Sequence, residues 1–191
     1  METGRKDNLQ TRGDISSISL LRGLGCGLAG GLAGTMVMDI ALMAALPAAG
    51  YPALTCFTIV GDTVAKFFSM RGIEMAGGVP LGVISHYLIG PAAGAGFGTL
   101  VMKFDMLKLD TLRKSIILAI LYVQILSQPI LATTPILLKM TVTGTLKWYG
   151  GSFVMHSVLG AVLGIFMSYA MRPKDRLNRG WVRAQLAGEN N

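Results

Sequence analysis

Small residues recur at every fourth position in three apolar stretches, and each row carries one ionisable side chain. The first row is Gly23, Gly27, Gly31, Thr35 and Asp39. The second is Gly82, His86, Gly90, Gly94 and Gly98, and the third is Ser152, His156, Gly160, Gly164 and Ser168. Residues four apart share a helix face. Small residues on that face let two membrane helices approach closely, so Gly27, Gly31, Gly90, Gly94, Gly160 and Gly164 read as packing positions. Each buried titratable group then faces another helix and not lipid, which makes it a site hypothesis.

Composition agrees with a membrane setting. Of 191 residues, 52% are hydrophobic and 14% charged, where a soluble domain carries about 25% charged residues. Residues 23–38, 40–61, 75–102, 115–138 and 148–171 contain no Asp, Glu, Lys or Arg. A membrane span needs roughly 20 apolar residues. The pattern predicts an all-α, four-helix transmembrane bundle with spans near 20–46, 80–102, 115–138 and 150–171. It divides the chain into a polar tail over 1–18, an integral-membrane domain over 19–172 and a basic tail over 173–191.

Lys and Arg set the orientation. Thirteen lie before span 1, between spans 2 and 3, or after span 4; Lys66, Arg71, Lys139 and Lys147 lie on the other side. Both termini are therefore expected on the cytoplasmic side of the inner membrane. Basic residues beside spans, without interleaved aromatics, favour anionic lipid over nucleic acid as the partner. The apolar run from Gly23 to Leu46 exceeds the core of a signal peptide and contains Asp39, so it reads as an uncleaved first span. Cys26 and Cys56 fall at different depths, too far apart for a disulfide.

Residues 53–71 form an amphipathic segment. Leu54, Phe57, Val64, Phe67 and Phe68 fall near one face, and Asp62 with Lys66 make an i,i+4 pair. An additional helix lying in the outer interface between spans 1 and 2 fits this pattern; a re-entrant or fully crossing segment is the alternative. Span 3 carries Gln124, Ser127, Gln128, Thr133 and Thr134. Its prolines, Pro129 and Pro135, leave carbonyls near Ile125 and Leu131 to be satisfied by other donors. Pro91 does the same to Tyr87 in span 2. Lys139, Lys147, Trp148 and Tyr149 mark the outer interface between spans 3 and 4. The His-x-x-x-Gly-x-x-x-Gly element recurs at an offset of 70, which suggests a parallel repeat of a two-helix unit.

At 1.5 Å per residue, His86, His156 and Asp39 each lie about 9–10 Å below the outer ends of their spans. Thr133 and Thr134 are expected at similar depth. One reading is packing: polar groups hydrogen-bonded across glycine-lined seams. The other is a site, in which His86 and His156 ligate a metal ion or haem iron with Asp39 behind them, or Asp39 and His86 relay a proton. Met36, Met38, Met43 and Met155 lie at comparable depth and suit copper, although methionine is also ordinary core filler. No cofactor is required by the sequence. There is no phosphate-binding loop and no Gly-x-Ser-x-Gly elbow, and no catalytic residue is assigned.

The segments 27–38, 82–90 and 155–164 resemble the YagU-like group of small bacterial and archaeal four-helix membrane proteins. That resemblance implies an integral-membrane fold and lends no activity. The expected function is a non-enzymatic membrane protein, an accessory subunit of a larger complex or a homo-oligomer. A small proton or metal-ion transporter using Asp39, His86 and His156 is the alternative, and a haem-binding redox subunit the third.

Overall fold

A computed structural model describes residues 3–107 and 109–171. Among them every regular element is helical: α1 (Thr3–Ala48), α2 (Thr55–Ser69), α3 (Gly78–Lys103), a 3-10 turn (Asp105–Leu107), α4 (Leu112–Leu137) and α5 (Val142–Ala170). Three helical stretches are long and apolar enough to cross a membrane: Leu20–Ala48, Leu112–Leu137 and Val142–Ala170. The second expected span, α3, has 26 residues but is not among them. Its glycines, two prolines, Ser85, His86 and Tyr87 dilute its hydropathy. The expected tail over 1–18 is continuous with α1, which is helical from Thr3. The basic tail over 173–191 lies outside the described residues.

The helices form two antiparallel pairs. In the first, α1 lies against α3 with backbone nearly on backbone. A Cβ on Gly31 would stand 2.5 Å from the Gly90 carbonyl oxygen, and Cβ atoms on Gly27 and Gly94 would each overlap the other's carbonyl. Gly98 meets Gly23, and Gly90 meets the Thr35 hydroxyl. In the second pair, Gly160 faces the Ile120 Cα and Gly164 the Ile116 Cα, both at 2.6 Å from where a Cβ would sit. The small residues of α5 thus admit the α4 backbone, as those of α3 admit α1.

The pairs join where α1 meets α5, with Gly30 under Leu163 and Phe166, and Gly34 under Leu159. Helices α3 and α4 touch toward the end bearing the α3–α4 connection (the lower end). There the Phe97 and Tyr122 rings lie 5.3 Å apart. Phe97, Val101, Ala119, Val123, Leu159, Leu163 and Met167 close this lower half as one apolar core. Toward the upper end, which carries the other connections, α3 and α4 part.

Helix α2 fills part of that gap. Gly61 abuts the Gly78 carbonyl, and Gly82 abuts that of Phe57, so α2 packs along the first turns of α3. The amphipathic segment over 53–71 is therefore a helix, but Phe57, Gly61 and Thr63 are what it buries, while Phe67 is exposed. Asp62 does not pair with Lys66. Its Oδ1 accepts from the Gly78 amide at 2.7 Å, at the point where φ of +79° favours glycine to open α3. Toward α4, the Thr63 hydroxyl donates to that of Thr134 at 3.3 Å.

One further boundary differs from expectation. Helix α5 starts at Val142, capped by the Thr141 hydroxyl accepting from Gly144, so Lys147, Trp148 and Tyr149 lie inside the helix and not in the connection. Pro91, Pro129 and Pro135 all sit within continuous helices. The carbonyl of Leu131, deprived of its donor by Pro135, accepts instead from the Trp148 indole at 3.2 Å.

Candidate functional site

The glycine seam of α1 and α3 sets the register that brings Asp39 to His86. Gly31 lies at Gly94 and Thr35 at Gly90; one turn higher, Nδ1 of His86 stands 2.8 Å from Oδ1 of Asp39. Asp39 is 3% exposed, and its Oδ2 has no hydrogen-bond partner. The His86 ring tilts against Phe57 of α2, centroids 5.1 Å apart. With Asp39 as carboxylate, Nδ1 of His86 carries the hydrogen, and Nε2 becomes the ring's variable nitrogen: an acceptor when neutral, a donor when protonated.

His156 is held differently. Its Nδ1 donates to the Ser152 carbonyl one turn back, at 2.7 Å, which again leaves Nε2 as the open position. The contact register of α4 and α5 shows what stands opposite. Gly164 is level with Ile116 and Gly160 with Ile120, so His156 is level with Gln124. The Gln124 amide donates to the Phe153 carbonyl at 2.8 Å and the Ser157 hydroxyl at 2.9 Å, and its Oε1 is buried without a partner. The two helix pairs therefore place Asp39 and Gln124 at corresponding positions. Among the described residues, the two buried side-chain oxygens lacking hydrogen bonds belong to them.

Both histidines line one cavity of about 1140 Å³ between the helix pairs. Thr35, Gly90, Val123 and Leu159 line its lower part, where it meets the core. It reaches the upper surface at Tyr51, Met140, Thr141 and Lys147. Its walls are mainly apolar. Small-molecule sites run to roughly 300–1,000 Å³ and combine apolar walls with a few polar groups. At the mouth, Lys147 Nζ donates to the Tyr51 hydroxyl at 2.9 Å.

Several expected site residues fall elsewhere. Thr133 and Thr134 are near the upper end of α4, level with α2 and above the Asp39–His86 layer. Their hydroxyls donate to the carbonyls of Pro129 and Ile130, one turn back. The two threonines lie only four and three residues before the end of α4 at Leu137, so they sit higher than the expected common layer. Of the methionines, Met36 and Met43 are exposed on the outer face of α1, whereas Met38 and Met155 line the cavity. The four therefore do not form one set. Among the described residues no group of three or more His, Cys, Asp or Glu could hold a metal ion. Cys26 and Cys56 are both free thiols. Burial, and then the charge of Asp39, pushes the Cys56 thiol from its ordinary 9.0 up to about 12.

Sequence reasoning passed over Gln124 as one polar residue among several in span 3. The available signal was the repeat itself: had span 1 been aligned to span 3 through their partners, Gln124 would have fallen under Asp39. The Tyr51–Lys147 contact, 96 residues apart, carried no sequence signal beyond the reading of Lys147 as interfacial.

Three helices long and apolar enough to cross a membrane are consistent with a helical membrane protein, and its polar pair is buried beside a large cavity. No family model, curated protein or solved structure matches the chain.

Proposed function

We propose that the chain is a non-enzymatic, multi-pass membrane protein that crosses the bilayer four times, with both termini cytoplasmic, and binds a ligand in a cavity open to the outer side. The cavity itself carries this reading. It is large and mainly apolar, it reaches one end of the bundle at Tyr51 and Lys147, and the core around Phe97 and Leu163 closes the opposite end. The α1–α3 seam supports a fourth crossing, because a helix packed backbone-on-backbone along a spanning helix shares its path. Thirteen of the seventeen Lys and Arg residues belong to the segments assigned to the cytoplasmic side, in line with the positive-inside rule. Kinship with the YagU-like proteins belongs to the same proposal.

A second reading is favoured by the Asp39–His86 pair. An ionisable pair inside a span is costly and tends to be functional. The less buried partner, His86, lines the cavity, which gives a proton a route to the pair from the ligand side.

Reporter fusions at each terminus test the crossing number. Both reporters should be on the cytoplasmic side; termini on opposite sides would overturn the four-span reading.

A further inference from the structure

The mouth of the cavity is chemically unlike its depths. Of the residues that line it, Lys147 alone carries a full charge, and no aspartate or glutamate faces in. The lysine is not a stray interfacial cation. Its Nζ donates to the Tyr51 hydroxyl at 2.9 Å, and it lies 5.5 Å from the centroid of the same ring. That bond uses the tyrosine oxygen as acceptor, so the Tyr51 O–H is left to donate, as are two further N–H bonds of Lys147. Two donors 2.9 Å apart, one of them cationic, suit an oxygen-bearing anion. The N-terminus of α5, at its cap Thr141 and at Gly144, borders the same mouth and adds the positive end of a helix dipole.

Below the mouth the walls change. From Lys147 to Leu159 along α5 the cavity descends about 18 Å. Met38, Leu42, Ile89, Leu126, Met155 and Leu159 are among the side chains met on the way. Such a shaft gains by covering apolar surface. A small inorganic anion would leave it unfilled, and a cationic amphiphile would meet Lys147 at its entrance.

Resting on the ligand-cavity reading above, we infer that the ligand is a single-chain amphiphile with an anionic head. The head sits at Tyr51 and Lys147, and the alkyl chain runs down between the helix pairs past His86 and His156. The head of such a molecule stays at the membrane surface while its tail lies at acyl-chain depth, so entry requires no burial of charge.

Trp148 lines the same cavity, and the chain has one other tryptophan, Trp181. In the full-length Trp181→Phe protein, Trp148 is the sole indole reporter. The probe is stearic acid carrying a nitroxide at carbon 5, compared with its uncharged methyl ester. The acid should quench Trp148 saturably and bind roughly tenfold more tightly than the ester, equivalent to one favourable charge contact. Lys147→Gln should weaken the acid to the level of the ester and leave the ester unchanged; Tyr51→Phe should weaken the acid by less. Unlabelled hexadecanoate should displace the probe. Equal binding of acid and ester, insensitive to Lys147→Gln, would overturn the anionic head while leaving the cavity reading intact. Displacement by a two-chain anionic phospholipid and not by hexadecanoate would overturn the single chain. No saturable quenching of the wild type by either probe, or quenching undiminished in Ser127→Phe with its narrowed shaft, would overturn the cavity reading itself.

Discussion

Nδ1 of His86 stands 2.8 Å from Oδ1 of Asp39, and the contact joins two helices that otherwise meet through glycine backbone. The register is therefore fixed twice, once by sterics at Gly27, Gly31, Gly90 and Gly94, and once by a polar contact a turn above. Neither device works alone. The seam permits close approach without specifying which polar groups meet, and the pair could not close across bulkier side chains.

Removing one partner leaves the other buried and unpaired. Asp39→Ala should lower stability in detergent by about 1–3 kcal/mol, read as a fall in thermal unfolding temperature. Asp39→Asn, which can still accept from His86, should lose less. The double variant Asp39→Leu with His86→Phe should recover much of the loss, because apolar replacement of both members removes the desolvation cost.

The seam makes a sharper steric prediction. Gly94→Val would drive a side chain into the Gly27 carbonyl, and the variant should fail to elute as a monodisperse species. Gly25 lies on the same helix with nothing within 4 Å of its would-be Cβ, so Gly25→Ala should elute like wild type. Equal behaviour of the two would dissolve the argument.

Trp148 donates to the Leu131 carbonyl that Pro135 leaves without its helical donor. Trp148→Phe should therefore cost about 1–3 kcal/mol. In a Pro135→Ala background the restored amide can serve Leu131, and the cost should shrink. A thermodynamic cycle over the two positions measures the difference; strictly additive effects would contradict the proposed compensation.

The Cys56 thiol, raised to about 12 chiefly by burial, holds its proton at neutral pH. Alkylation requires the thiolate. Cys56 should resist maleimide at pH 8 in the folded protein and react on unfolding, as followed by intact mass. The same shift has a stability consequence. The folded thiol keeps its proton where the unfolded one has released it, so its contribution is whole below pH 9 and is lost as pH rises toward 12.

Helix content and the Asp39–His86 level were legible in the sequence because both follow from period and rise. Four-residue spacing gave the faces, and counting from the prolines and glycines at helix ends gave the depth. Thr133 and Thr134 were misplaced by the same counting, since residues so near the upper end of α4, at Leu137, lie above a layer set six or seven residues into the other helices. Trp148 was read as a loop marker for a similar reason: an aromatic near a lysine signals an interface, whether or not a helix has already begun. The cavity was not legible at all. It exists because α3 and α4 separate above Phe97 and Tyr122, and no local pattern reports how far two non-adjacent helices diverge.

One-sided labelling of the cavity wall tests the central claim most directly. In a background with Cys26 and Cys56 replaced by alanine, a single cysteine at Ser152, which lines the cavity, is exposed to a charged, membrane-impermeant thiol reagent. The account predicts modification when the reagent is added outside intact cells and protection when it is confined to the cytoplasmic face. Modification from the cytoplasmic face alone, or from neither while Lys139→Cys is labelled from outside, would contradict it.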